Sequence, residues 1–141
     1  MSKLQDLEPY RHLASLFDSQ KFMRHLGVEI THLADGHCEL TLGFDESWSE
    51  ANGSFSNGIV GSLAENVACA AAATLTQPGE QFLTVEYKMN LLGSSKGDRL
   101  LAVGDIIKSG KSLKIVRSNV YAINGSDRVH CACAIVTLAA T

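Results

Sequence analysis

The sequence predicts an α+β protein in which one antiparallel sheet wraps around a single long central helix. Three observations support this prediction. Residues 58–76 form a long run of small and apolar residues, as in a helix buried on most sides. Two strand-like segments precede this run and four follow it. The segments are separated by turns rich in Gly, Ser, Asn and Asp.

The first 26 residues predict two helices that are accessory to the domain. Apolar residues recur at helical spacings between residues 4 and 18, and Pro9 lies near the first turn or divides this helix. A second, short helix around residues 22–26 ends at Gly27.

Two strands come next, over residues 28–33 and 37–44, and Ala34-Asp35-Gly36 between them is a hairpin turn. A polar loop over residues 45–57 leads into the long helix. We expect that helix to end near Thr76, because Gln77-Pro78-Gly79 follows.

The last four strands are predicted at residues 83–91, 100–108, 113–123 and 129–138. In the first of them, strict alternation places Leu83 and Tyr87 on one face and Thr84 on the other. A single sheet leaves an edge strand exposed and the helix uncovered on one side. Two copies that join edge to edge would solve both problems.

Length and composition limit the classes of function. The 141 residues fit one domain, with 45% hydrophobic and 19% charged residues. Net charge is −3 and no basic run occurs, so we do not expect a nucleic-acid partner. No signal-like pattern or run long enough to span a membrane is visible, which favours a cytoplasmic protein without membrane contact.

One acid stands out within the long helix. Glu65 is the only charged residue between 58 and 76, and a carboxylate that loses water there must be paired, protonated or catalytic. The Gly-containing loop before the helix supplies backbone N–H groups that point outward from the helix start. Donors of this kind and a nearby acid suit acyl transfer or hydrolysis.

A metal site is not expected. The five histidines are scattered, and the four cysteines fit neither zinc nor redox spacing, so we expect reduced thiols.

The order of elements and the motif before the helix resemble the hotdog fold, and in particular the PaaI-like acyl-CoA thioesterases. That family shows an Asn, a Gly three residues later, then His-Gly-Gly, then an Asp or Glu nine residues after the His. Here Glu65 takes the acid position, Gly53 the first glycine, and 56–58 (Ser-Asn-Gly) replaces His-Gly-Gly. Glu50 aligns with the Asn, whose place Asn52 takes if the loop is two residues shorter.

The resemblance also covers two later segments. Residues 84–92 resemble the strand that carries a Ser or Thr facing the site, and residues 110–113 resemble the Gly-rich turn between two long strands. The likeness spans nearly the whole chain in element order, whereas its motif is short.

The resemblance implies roles for individual residues. Glu65 is general base or nucleophile, and the backbone N–H of Asn57, with that of Gly58, polarises the thioester carbonyl. Thr84 of the partner subunit positions water or the carboxylate.

The residues that line the substrate cleft are Ser56, in place of the His, with Glu50 or Asn52 and with Lys111 and Ser112. The residue four after the acid, which helps to place water in related sites, is Cys69. Basic residues that could grip the phosphates of coenzyme A are Lys96, Lys111, Lys114 and Arg117.

The function implied is hydrolysis of acyl-CoA or acyl-carrier thioesters by a homodimer or homotetramer. No cofactor is implied, because coenzyme A is part of the substrate. Two alternatives stay open: a non-catalytic acyl-CoA binding protein on the same fold, and a hydratase or dehydratase. A hydratase needs a His beside the acid, and none lies near Glu65 in the sequence.

Overall fold

The computed structural model describes residues 10–141 and confirms the α+β fold. The helices are α1 (Arg11–Asp18), α2 (Lys21–Leu26) and α3 (Asn57–Ala73), with a 3-10 turn at Glu46–Trp48 in the loop before α3. The strands are β1 (Glu29–Ala34), β2 (His37–Gly43), β3 (Phe82–Leu91), β4 (Arg99–Ser109), β5 (Leu113–Asn124) and β6 (Asp127–Ala140). The part of the predicted first helix before residue 10 lies outside the described residues.

The six strands form one sheet in the order β1-β2-β4-β5-β6-β3, and all neighbours are antiparallel. The concave face of the sheet holds α3, which packs against β4 and β5 through buried residues such as Val60, Leu63 and Val67. Gly104 on β4 makes this close packing feasible, because a Cβ there would lie 2.7 Å from the carbonyl oxygen of Val67.

The two ends of α3 are closed in different ways. Ser56 caps the first turn, where its hydroxyl accepts a hydrogen bond from the N–H of Ile59 at 3.3 Å. At the other end α3 stops at Ala73, three residues earlier than expected. The N–H groups of Leu75 and Thr76 bond carbonyls only three residues back, so the last turn tightens and leaves the α-helix.

Strand β3 departs from the alternation predicted for it. Thr84 pairs with Leu138 and Glu86 with Thr137, so Val85 is an extra residue in a β-bulge. As a result Thr84 lies on the same face as Tyr87 and points toward α3. The prediction that Thr84 and Tyr87 face opposite ways is therefore wrong.

The two N-terminal helices occur as predicted within the described residues. Gly27 ends α2 in the left-handed region, at φ 81°. Leu13 and Met23 are buried against the core, and the hydroxyl of Tyr10 donates a hydrogen bond to Asp35 in the β1–β2 turn at 2.5 Å. No helix in residues 10–141 has the length and apolar character needed to cross a membrane.

Candidate active site

The Glu65 side chain lies half-buried on the outer side of α3, where three side chains donate hydrogen bonds to it. Its Oε1 accepts from the hydroxyl of Thr84 at 2.6 Å and from the thiol of Cys69 at 3.0 Å. Its Oε2 accepts from the side-chain amide of Asn66 at 3.1 Å. The sulfur of Cys69 is also 3.2 Å from the Thr84 hydroxyl. These donors orient the carboxylate, which has no basic partner among the described ion pairs.

Cys69 acts in this cluster as a hydrogen-bond donor. Burial, together with the negative charge of Glu65, raises the pKa of its thiol to about 12. The thiol therefore stays protonated at neutral pH, where it donates to the carboxylate and is a poor nucleophile. This geometry agrees with a supporting role for the residue four after the acid.

Thr84 reaches Glu65 from within the same chain. The expectation that the partner subunit supplies this hydroxyl is wrong, because the bulge at Val85 turns this chain's own Thr84 toward α3. The contact joins the middle of α3 to the edge strand of the sheet.

The N-terminus of α3 presents two backbone N–H groups without partners. Within residues 10–141, the N–H groups of Asn57 and Gly58 have no hydrogen-bond acceptor, whereas those of Ile59 and Val60 bond to Ser56. Asn57 and Gly58 are exposed. These two groups can bind a carbonyl oxygen that gains negative charge. The Ser56 hydroxyl is engaged in capping the helix.

The loop before α3 is a compact turn. The N–H of Gly53 bonds the carbonyl of Glu50, and the N–H of Ser54 donates to the Asn52 side chain at 3.0 Å. The Asn52 side chain thus closes its own turn. Glu50 and Asn52 are both exposed beside the helix start.

The basic residues fall at different places. Lys111 and Ser112 lie exposed in the β4–β5 turn. Lys114 is only 3% exposed and donates to the carbonyl of Leu75 and the hydroxyl of Ser109. It caps the C-terminal end of α3, so the expectation that it could grip phosphates is wrong. Arg117 is exposed on the outer face of the sheet, the face away from α3.

Lys96 is the basic residue next to the start of α3. Its Cε would lie 3.4 Å from a Cβ at Gly53, so its stem packs against the loop that precedes the helix. No group of three or more His, Cys, Asp or Glu side chains in residues 10–141 could hold a metal ion.

Comparison with known proteins identifies the family. The sequence model of the thioesterase superfamily matches residues 52–128, which is more than half of the chain. The chain belongs to the thioesterase superfamily. The match includes the last part of the loop before α3, the Glu65 cluster and the greater part of the sheet. No curated protein gave a significant match.

Solved structures agree with this thioesterase-superfamily assignment. A thioesterase family protein from Silicibacter pomeroyi is 28% identical, with a TM-score of 0.87 over 90% of this chain and 93% of that one. The PaaI protein of E. coli, from the phenylacetic acid degradation operon, is 16% identical, with a TM-score of 0.82 over 94% and 92%. The thioesterase HI1161 of Haemophilus influenzae is 19% identical, with a TM-score of 0.81 over 91% and 87%. These neighbours confirm the PaaI-like hotdog fold.

For this thioesterase-superfamily chain, the structure brings together Glu65, Thr84 and Cys69, and it places Asn57 and Gly58 at the open end of the same helix. Two structural features next to Glu65 were not predicted from the sequence. One is the bulge at Val85, for which the sequence carries no Gly or other breaker. The other is the cleft that α1 forms beside Asn66, which the exposed apolar residues of an amphipathic helix could have indicated.

Proposed function

We propose that this protein hydrolyses acyl-CoA thioesters to a free acid and coenzyme A, as a homodimer whose active sites each use both chains. The supporting observation is the Glu65 carboxylate, which three donors orient on a helix that is otherwise uncharged. An oriented carboxylate beside apolar surface is the group that activates water for attack on a carbonyl carbon.

The two chains are needed because one chain keeps its catalytic groups too far apart. Asn57 and Glu65 are eight residues apart on α3, which is about 12 Å along the helix axis. Glu65 bonds Cys69, one turn farther toward the C-terminus, so its carboxylate does not reach back to the helix start. A carbonyl group needs its oxygen donor and its attacking group each within about 3 Å. The N–H group at Asn57 and the carboxylate that act on one substrate therefore belong to different chains.

The edge strand β3 offers a way to meet this requirement. Thr84 of β3 lies beside Glu65, and Met89 lies beside Gly61, so β3 runs antiparallel to α3. If two β3 strands pair antiparallel about a two-fold axis, the C-terminal end of one strand lies beside the N-terminal end of the other. The start of one α3 then approaches the Glu65 cluster of the partner subunit.

The reaction needs no group beyond these. The N–H groups of Asn57 and Gly58 would polarise the carbonyl of the thioester and stabilise the oxyanion. In one route Glu65 takes a proton from water as the new C–O bond forms, and the C–S bond then breaks to release the thiolate. In the other route Glu65 attacks the carbonyl carbon first, the C–S bond breaks to release the thiolate, and water then cleaves the resulting anhydride to the free acid and the Glu65 carboxylate. Lys96, beside the loop before α3, would lie near the phosphates of the bound coenzyme A.

The decisive experiment measures thiol release from a panel of acyl-CoA thioesters by wild type and Glu65→Gln. Gln keeps the size of the side chain and an oxygen for the donors, so we expect kcat to fall by about 100-fold or more, with little change in Tm. Glu29→Gln, which removes an exposed acid on β1, is the matched control and should leave kcat unchanged. Full activity in Glu65→Gln would contradict the proposal.

The donor role of the helix start has its own test. Asn57 is the first residue of α3, where Pro is well tolerated, and Ser56 already has the extended backbone that precedes Pro. Asn57→Pro removes one N–H group without breaking the helix, and we expect about 100-fold loss of kcat. Asn57→Ala keeps the N–H group and should keep most of the activity. Equal effects of the two variants would remove the oxyanion role.

Mixed dimers test whether each site uses two chains. Glu65→Gln and Asn57→Pro chains are each expected to have little activity alone, but a dimer with one of each would have one site with both groups intact. Random mixing should therefore restore about a quarter of wild-type activity. If each site lies within one chain, mixing restores nothing.

The non-catalytic alternative is supported by the Ser56-Asn57-Gly58 sequence in place of His-Gly-Gly. It predicts that acyl-CoA raises the Tm of the protein while no member of the panel is hydrolysed. Hydrolysis that depends on Glu65 would exclude it.

A further inference from the structure

A cleft of about 50 Å³ lies between α1 and the outer side of α3. The proposed reaction leaves it unused, although it adjoins the carboxylate. Its floor and its wall are formed by Asn66, Cys69 and Ala70 on α3 and by Leu13, Leu16 and Phe17 on α1.

The cleft begins where the Glu65 cluster ends. Asn66 and Cys69 line its floor, and the same two side chains donate to Glu65 at 3.1 and 3.0 Å. A thioester carbon held within about 3 Å of Glu65 therefore has this cleft as adjoining apolar space. The acyl group attached to that carbon can enter it without crossing α3 or the sheet.

The lining selects for an uncharged group. No charged side chain contributes to it, and its polar members are Gln20, Asn66 and the Cys69 thiol. The Asn66 amide is already occupied by the carbonyl of Ser62 and by Glu65, and burial keeps the Cys69 thiol protonated. An acyl chain that carries a carboxylate would lose water there without gaining a charged partner.

The size of the cleft limits the length of the group. An apolar cavity that holds benzene has a volume of about 150 Å³, so 50 Å³ is too small for an aromatic ring. Phe17 and Leu13 close the inner side, and both pack against the core. A chain of about two to four carbons fills such a space.

We propose that this cleft is the acyl-binding pocket and that α1 restricts the protein to short aliphatic acyl groups. This inference rests on the proposed function of the Glu65 site. It makes α1, which lies outside the sheet-and-helix core, the element that sets specificity.

A binding experiment tests the pocket separately from catalysis. The probes are thioether analogues of acyl-CoA with ethyl, butyl, octyl and benzyl groups, which cannot be hydrolysed, and affinity is measured by calorimetry. We expect affinity to rise from coenzyme A to the butyl compound and to fall for octyl and benzyl. Ala70→Leu fills the floor of the cleft. This variant should reduce the affinity gain of the butyl compound over coenzyme A by about 10-fold.

Enlarging the pocket should have the opposite effect. Phe17→Ala should move the optimum toward the octyl or benzyl compound, whereas Phe22→Ala, a matched change on α2 outside the cleft, should leave the order unchanged. If Phe17→Ala does not fold, Leu16→Ala provides the same test at a residue that is 54% exposed.

The possible failures are distinguishable. An order of affinities that neither Ala70→Leu nor the α1 variants alter would overturn the pocket, while Glu65-dependent hydrolysis would still stand. Selective binding of short chains without any hydrolysis would support the pocket and contradict the catalytic role of Glu65.

Discussion

The two edges of the sheet differ in what they expose. The β1 edge is short; its apolar residues Ile30 and Leu33 are buried and its exposed residues are Glu29, Thr31 and His32. The ten-residue β3 edge exposes Leu83, Val85, Tyr87 and Leu91, each between 46% and 61% accessible. Polar edges resist association, and long apolar edges promote it.

In the proposed dimer, association and chemistry therefore share one strand. The hydroxyl that contacts Glu65 belongs to Thr84, which lies between the exposed Leu83 and Val85. The β1 edge carries no member of the Glu65 cluster. A chain with two equally apolar edges would polymerise, whereas one polar and one apolar edge permit a closed dimer.

The largest effect is expected from charges on the apolar edge. Leu83→Asp with Val85→Asp would place like charges at the proposed seam, so we expect monomers and about a 100-fold loss of activity, because the partner's N–H donors are lost. Thr31→Asp with His32→Asp on β1 is the matched control and should change neither property. Light scattering after gel filtration measures the oligomeric state, and thiol release measures the activity. Active monomers would contradict the two-chain site.

A smaller effect is expected inside the cluster. Thr84→Val removes one hydrogen bond to a charged group, which is worth about 1.5–3 kcal/mol, so we expect kcat to fall roughly 10- to 100-fold while the dimer persists. Thr84→Ser keeps the hydroxyl and should restore most of the rate. A Ser variant as slow as the Val variant would show that the methyl group and its packing matter instead.

The smallest effect is expected on the β1 side. The hydrogen bond from Tyr10 to Asp35 raises the pKa of the Tyr10 hydroxyl above 10. Folding therefore favours the protonated hydroxyl. The hydrogen bond stabilises the folded state fully below pH 10, and this stabilisation is lost as pH rises through the raised pKa. The Tm difference between wild type and Tyr10→Phe should be constant at neutral pH and shrink as pH rises above 10. A constant difference would mean that the bond does not support the folded state.

The sequence was sufficient to predict the fold. Periodicity and turn residues located every helix and strand within residues 10–141, because binary pattern and Gly-rich turns act locally. Glu65 was identifiable as a lone acid in an apolar helix, and the Ser56-Asn57-Gly58 segment as a helix start.

Other features depended on tertiary contacts that no local pattern encodes. The direction of Thr84 depends on a bulge that pairing with β6 imposes. The burial of Lys114 depends on the end of α3, whose free carbonyl at Leu75 attracts the ammonium group. The cleft beside Asn66 exists only because α1 packs across α3.

The bulge also decides how the chain tolerates a change in length. Removing one residue from an ordinary strand moves every side chain on one side of the deletion to the opposite face of the sheet. Val85 is an exception, because it has no partner of its own between Thr84 and Glu86. Deleting it would leave Thr84 and Tyr87 on the same inner face of a nine-residue strand. Relatives with a β3 one residue shorter can therefore keep the same hydroxyl beside the same acid.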